Sequence, residues 1–127
     1  MAKIIVYLGM DVHTTNYTLS CFTMDKTEAF GTAVVEPTVS AIEKYMKRMN
    51  QNAFKGKEVT YICGYEAGAM GYALHDELQK KSIECKILAP SKIPITPGEI
   101  KTDRRDSRKI ARCLAYNMAS YVYVPDL

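Results

Sequence analysis

Four carboxylates stand where they could act together. Asp11 comes directly after the apolar run Ile4-Ile5-Val6-Tyr7-Leu8-Gly9, and Glu66 after Val59-Thr60-Tyr61-Ile62-Cys63-Gly64-Tyr65. Both runs are short, continuous and rich in β-branched residues, the pattern of buried strands. Sites in open sheets form beyond the carboxyl ends of such strands. Asp103 and Asp106 are three residues apart, and on a helix that spacing shares a face. At about 100° per residue, Asp103, Asp106, Ile110, Cys113, Leu114 and Asn117 fall on one stripe, so the two acids would continue an inward-facing apolar row. Clustered carboxylates repel unless neutralised, and hard divalent cations take oxygen ligands. A pair of Mg²⁺ ions held by such a cluster can activate a nucleophile and stabilise the leaving oxygen of a phosphodiester.

The opposite side of the same helix would carry Arg104, Arg105, Arg108, Lys109 and Arg112, a face able to hold a polyanion. Each feature also has a plain reading. A lone aspartate after a strand is usually a turn or cap residue, and Glu66 before Gly68 could mark a helix start favoured by the macrodipole. Asp103 and Asp106 could be an N-cap and a first-turn acid, and the arginines a solvated face. The joint placement of the acids, at sheet ends and on one stripe, weighs for a site.

The elements that must position these residues follow from periodicity. After the first strand, Asn16 to Thr23 alternates with Tyr17, Leu19 and Cys21 on one side, and Ala29 to Val35 pairs with it across a turn at Asp25-Lys26-Thr27. Three strands with short connections imply an antiparallel meander. Pro37 closes it, and Thr38 or Ser40 caps a helix to about Asn50, with Val39, Ile42, Tyr45, Met46 and Met49 inward. The strand ending at Tyr65 comes next. A helix opened by Gly68-Ala69-Met70-Gly71 then runs to about Lys81, and a strand covers Cys85 to Leu88. Ser91 to Ile100, with three prolines and a glycine, reads as a loop. A third helix is expected from about Asp103 to Ala119, and Tyr121 to Pro125 as a short extended tail. The order β-β-β-α-β-α-β-α predicts an α/β fold: a mixed five-stranded sheet flanked by helices, the order of the ribonuclease H class.

With 127 residues, 47% hydrophobic and 24% charged, the chain fits one domain with one core. A net charge of +3 is compatible with nucleic acid and equally with simple solubility. The four cysteines, Cys21, Cys63, Cys85 and Cys113, form no C-x-x-C pair and sit among apolar neighbours, so free buried thiols in a reducing cytoplasm are expected. His13 and His75 show no zinc spacing. Tyr7, Tyr45, Tyr61 and Tyr72 fall at apolar phases and read as core. No stretch approaches the roughly 20 apolar residues of a membrane helix, and no secretory leader is seen. There is no internal repeat and no low-complexity segment.

Gly9-Met10-Asp11-Val12-His13, then Tyr65-Glu66-Ala67-Gly68-Ala69-Met70-Gly71-Tyr72, then Lys101-Thr102-Asp103-Arg104-Arg105-Asp106-Ser107-Arg108-Lys109-Ile110-Ala111 resemble the DEDD transposases of insertion-sequence family one hundred and ten, which are similar to Piv-type DNA invertases. The resemblance covers nearly the whole chain, and the last motif is its most specific part. It implies a RuvC-like, ribonuclease-H-class domain over 1–127, with Asp11, Glu66, Asp103 and Asp106 as catalytic metal ligands. It further implies Mg²⁺ (replaceable by Mn²⁺) as cofactor, DNA as substrate, a guide RNA as partner, a cytoplasmic location and a homo-oligomer at full length. His13 stands where a small residue is expected and Ser107 where alanine is common; neither departure touches the four acids. Such transposases continue into a domain that supplies a nucleophilic serine. The chain is therefore expected to be an excised catalytic domain, inactive in recombination by itself.

Three other functions compete. A RuvC-class structure-specific nuclease shares the acids. A non-catalytic nucleic-acid-binding module would use the basic face alone. A sugar-kinase-like or actin-like ATPase would need a glycine at His13 and a second half that 127 residues cannot hold.

Overall fold

The computed structural model describes residues 2–68, 71–94, 100–103 and 105–124. Along the chain these form β1 (Ala2–Val12), β2 (Tyr17–Phe22), β3 (Phe30–Val35), α1 (Val39–Gln51), β4 (Lys57–Glu66) and α2 (Ala73–Lys80). There follow β5 (Glu84–Leu88), β6 (Ser91–Pro94), β7 (Ile100–Asp103), α3 (Ser107–Tyr116) and β8 (Tyr121–Val122).

The main sheet has six strands in the order β3-β2-β1-β4-β5-β8. The first three strands form the expected antiparallel meander. β4 then lies parallel to β1, and β5 parallel to β4. The sixth strand is one more than expected, because Tyr121 and Val122 pair antiparallel with Leu88 and Ile87. The result is a mixed α/β fold compatible with the ribonuclease H order of elements.

Strand alternation divides the core in two. Val6, Leu8, Met10 and Val12 point to one face with Leu19, Cys21, Cys63, Tyr65, Cys85 and Ile87; Ile42, Tyr45 and Met46 of α1 and Leu74 and Leu78 of α2 cover them. On the other face Ile110 and Leu114 of α3 cluster with Leu88, and Phe22 meets Tyr116 edge-on at 5.5 Å. Each such buried Leu, Ile or Phe side chain contributes about 1.5–3 kcal/mol. The first strand is buried on both faces only near its end, since Ile5 is half exposed.

Two glycines let α3 lie close to the sheet. Gly9 and Gly64 are register partners on β1 and β4. A Cβ at Gly9 would collide with the Ser107 carbonyl oxygen and the Ala111 amide nitrogen, and one at Gly64 would press on the Leu114 methyls. Only a residue without a side chain permits such a backbone approach.

Some boundaries differ from the sequence expectation. Thr38 caps α1 as expected, its hydroxyl accepting from Ala41 N at 3.1 Å. However, α2 starts at Ala73 rather than Gly68. Gly71 takes a positive φ of 66°, and its carbonyl accepts from the Tyr65 hydroxyl at 2.9 Å, so the chain turns there before the helix begins. Tyr72 is exposed, not core. The proline-rich segment is not a loop throughout: Ser91 to Pro94 pair antiparallel with Asp103 to Ile100, while residues 95–99 lie outside the described residues. α3 stops at Tyr116 because Asn117 adopts the left-handed conformation, its amide turned back to Cys113 and Leu114 carbonyls.

All four cysteines are free, with Cys21, Cys63 and Cys85 buried. Burial pushes the Cys21 thiol up to about 11, against a smaller lowering by the Tyr45 hydroxyl. It pushes the Cys85 thiol up to about 12.

Candidate functional site

Asp11 lies near the end of β1 and Glu66 is the last residue of β4. The parallel register ends at the pair Gly9 and Gly64, and Asp11 and Glu66 each stand two residues beyond it on their own strands. By alternation both carboxylates share the glycine face, the side on which α3 packs. Both acids therefore lie just past the last paired residues of two neighbouring parallel strands, at their carboxyl ends. The N-terminus of α3 sits beside them, because Ser107 lies over Gly9.

Glu66 does not face solvent. Its side chain is 5% exposed and pairs with Arg105, which is 13% exposed. The Arg105 backbone N–H donates to Glu66 Oε1 at 2.9 Å and its Nη1 to Oε2 at 3.3 Å. The same Nη1 donates to the Ala89 carbonyl at 3.3 Å. One arginine thus ties the end of β4, the chain after β5 and the approach to α3. A buried pair of this kind is costly to break, because either partner alone is an uncompensated charge.

Asp11 is partly exposed, and its Oδ1 lies 3.3 Å from Nε2 of His13. This corrects the sequence reading that the His13 departure leaves the acids untouched. His13 is held by the β1–β2 turn, where its amide donates to the Asn16 carbonyl at 3.0 Å.

Asp106 is the N-cap of α3 rather than a residue within it. Its Oδ1 accepts from Lys109 N at 2.9 Å, and Arg108 Nη2 approaches Oδ2 at 3.4 Å. The Lys109 amide is the main cause that holds its carboxyl below the usual range, with Arg108 adding to it. Asp103 belongs to β7, opposite Ser91. The shared helical stripe for Asp103 and Asp106 is therefore overturned. The physical reason is that Asp106 is extended (φ −77°, ψ 175°) with its carboxylate spent on the cap, while the Arg105 amide is tied to Glu66 instead of a helical carbonyl. The inward side of α3 is instead Ser107, Ile110, Ala111 and Leu114.

The basic face divides likewise. Arg108, Lys109 and Arg112 are exposed on α3, and the Arg112 guanidinium sits 5.9 Å from the Tyr116 ring centre. Arg105 is withdrawn from that face by Glu66, and Arg104 lies outside the described residues. Sequence reasoning missed Arg105 as the partner of Glu66, and no spacing signal announces it. It also missed His13 as a neighbour of Asp11, because His13 lies just past the end of β1, where no strand periodicity applies. Buried Ser107, whose hydroxyl is 2.7 Å from Ser20 Oγ, was seen only as a departure from alanine.

Asp11 and Glu66 carry the oxygen donors that hard divalent cations take. Among the described residues no three His, Cys, Asp or Glu side chains converge as a ready cage, since Glu66 is turned to Arg105 and Asp106 to its helix. Among the described residues no helix is long and apolar enough to cross a membrane.

The chain is 34% identical over 110 residues to "Transposase for insertion sequence element IS1533" of Leptospira borgpetersenii, a match covering 86% of this chain and 30% of that protein. It is 38% identical over 93 residues to "Putative transposase y4qE" of Sinorhizobium fredii (strain NBRC 101917 / NGR234), covering 72% of this chain and 23% of the relative. The chain is similar to transposases of insertion sequences. It spans less than a third of the length of these curated relatives. No protein-family model matches it, and no solved structure does.

Proposed function

We propose that this chain is the RuvC-like catalytic part of a DEDD transposase of insertion-sequence family one hundred and ten, acting on DNA with Mg²⁺ in a cytoplasmic, homo-oligomeric, RNA-guided recombinase. The observation that supports this reading is that Asp11 and Glu66 each follow, by two residues, the paired Gly9 and Gly64 of neighbouring parallel strands, in a chain whose relatives bear transposase names.

On this reading Asp11 and Glu66 hold the ion, with Asp103 and Asp106 carried over by motif as the final pair. The bound metal supplies charge neutralisation at the phosphodiester and a polarised oxygen. The chain's own part is to position. The sheet fixes the two acids on neighbouring strands, and Gly9 and Gly64 let α3 bring its N-terminus, with Asp106, to the same end. Arg108, Lys109 and Arg112 lie outward on that helix, where they can meet the backbone of a nucleic acid. Strand exchange that conserves bond energy needs a covalent nucleophile; the resemblance assigns this to a serine of a further domain.

The test is Mn²⁺ binding, followed by the loss of the free-ion paramagnetic resonance signal. Wild-type chain should bind, and Asp11→Asn and Glu66→Gln should each weaken binding by about tenfold or more, the scale of losing one metal-site interaction. Unchanged binding in both variants would leave only a nucleic-acid-binding module with structural acids.

A further inference from the structure

We propose that the outer face of α1 is a second contact surface for duplex DNA, turned away from the α3 face, so that one chain holds two duplexes. The inference rests on the reading above that the chain acts on DNA, and it asks nothing of a metal.

Helical phase is the first argument. Val39, Ile42, Tyr45 and Met46 form the buried side of α1. At about 100° per residue, Lys44, Lys47, Arg48 and Gln51 fall within one arc opposite that core stripe, and all four are exposed. Lys55 follows in the turn after the helix and is exposed as well. Glu43 is the one acid of α1. It lies off this arc, and its Oε1 is already taken by Lys81 Nζ at 2.9 Å. The Arg48 guanidinium is laid over the buried Tyr45 ring, 5.7 Å from its centre, which restrains a side chain that would otherwise move freely.

The second argument is the composition of the face. An ordinary solvated helix face mixes signs, as α2 does with Asp76, Glu77 and Lys80 exposed together. On α1 the exposed arc carries cations and no anion. The macrodipole favours a cation in the last turn of a helix, which accounts for Arg48. It does not account for Lys44 and Lys47, which lie before that turn, or for Lys55 beyond the helix. Exposed cations with no acid among them complement the phosphates of a polyanion.

The third argument selects a duplex. Single strands are held by bases stacked on aromatic side chains. Among the described residues the exposed aromatics are Tyr72, Tyr116 and Tyr123, none of them on α1. Lysine, arginine and glutamine on a convex helix suit the regular phosphates of a double helix.

Position is the fourth argument. α1 covers the sheet face that carries Leu8, Cys63 and Ile87, whereas α3 lies on the face of Gly9 and Gly64. The sheet stands between the two helices, with Arg108, Lys109 and Arg112 exposed on its other side. One straight duplex cannot touch both outer faces. The two cationic faces are therefore two sites and not one extended site.

The experiment titrates the chain with a short fluorescent DNA duplex. In parallel it asks whether chain held on a bead-bound duplex captures a second, labelled one. Wild-type chain should bind two duplexes and capture the second. Lys44→Glu with Lys47→Glu should bind one duplex, with an unchanged unfolding midpoint, and capture should fall by about tenfold or more, the scale of two lost phosphate contacts. Arg108→Glu with Arg112→Glu should lose capture likewise, and the four changes together should remove both sites. Lys26→Glu with Lys80→Glu makes the same change in net charge on exposed residues elsewhere and should leave capture intact. Wild-type chain that binds one duplex and captures none overturns the inference, as does an equal loss of capture in the Lys26 and Lys80 control. If the Lys44 and Lys47 variant behaves as wild type while the Arg108 and Arg112 variant loses all binding, the DNA reading stands and the second face falls. If wild-type chain binds no duplex, the DNA reading falls and the inference with it.

Discussion

Arg105 closes over Glu66 with its backbone N–H on one carboxylate oxygen and its guanidinium on the other, at 2.9 and 3.3 Å. The guanidinium neutralises the carboxylate, and on the proposed metal-site reading a divalent cation must compete with it. Arg105→Gln should therefore raise Mn²⁺ affinity by about tenfold, the equivalent of 1.4 kcal/mol. Without metal the same variant should be less stable by about 3 kcal/mol, because it leaves a buried carboxylate unpaired. Denaturant unfolding with and without Mn²⁺ measures both effects. A loss of metal affinity in Arg105→Gln would make the arginine a support of the site and not its competitor.

Gly9 sets how closely α3 can approach. Gly9→Ala places a Cβ against the Ser107 carbonyl and the Ala111 amide, backbone atoms that cannot rotate away. The cost should reach the upper end of overpacking, about 3 kcal/mol or more. Gly56→Ala is a useful contrast: its φ of 80° strains any side chain, yet a Cβ there meets nothing within 4 Å, so the cost should be nearer 1 kcal/mol. Unfolding midpoints that rank the two variants the other way would contradict the close helix–sheet approach.

The thiols give a dependence on pH. Cys21 and Cys85 titrate near 11 and 12 in the folded chain, against an ordinary value of 9, because burial disfavours the thiolate. A raised folded value means stability is fully present below pH 9 and lost as pH rises through 11 to 12. In native chain at pH 8 a thiol reagent should modify Cys113, the half-buried one, well before the other three. Rapid modification of all four in the folded chain would contradict the described core.

The exposed cations of α3 supply the test of nucleic-acid contact. Arg108→Glu with Arg112→Glu should weaken duplex DNA binding and flatten its salt dependence by about one logarithmic unit of slope per lost phosphate contact. The same change at Lys80 and Lys81, on α2 and just beyond it, should do little. Equal effects from both pairs would reduce the α3 face to a solubilising one.

The first five strands were legible in the sequence because β-branched runs and alternation are local, whereas β6 and β7 fell in a segment read as a loop and a helix start. Leu19 and Cys21 take the face their spacing predicts, and Thr38 is the cap its type predicts. The start of α3 was not legible. A cap and a first-turn acid share the same residue types, and the choice between them at Asp106 was decided by a distant partner, Glu66, drawing Arg105 out of helical geometry. Pairing of Tyr121 and Val122 with β5 was invisible for a similar reason, since two residues carry no periodicity and only the edge of β5 makes them a strand. The positions of Asp11 and Glu66 near the ends of β1 and β4 followed from the apolar runs before them. Arg105 and His13 became visible only with side chains in place.

Anomalous diffraction from crystals soaked in Mn²⁺ shows whether Asp11 and Glu66 hold a divalent ion. A manganese peak is expected in contact with both carboxylates, with the Arg105 guanidinium displaced from Glu66. Crystals with no peak at Asp11, and with Arg105 still bonded to both Glu66 oxygens at saturating Mn²⁺, would contradict it.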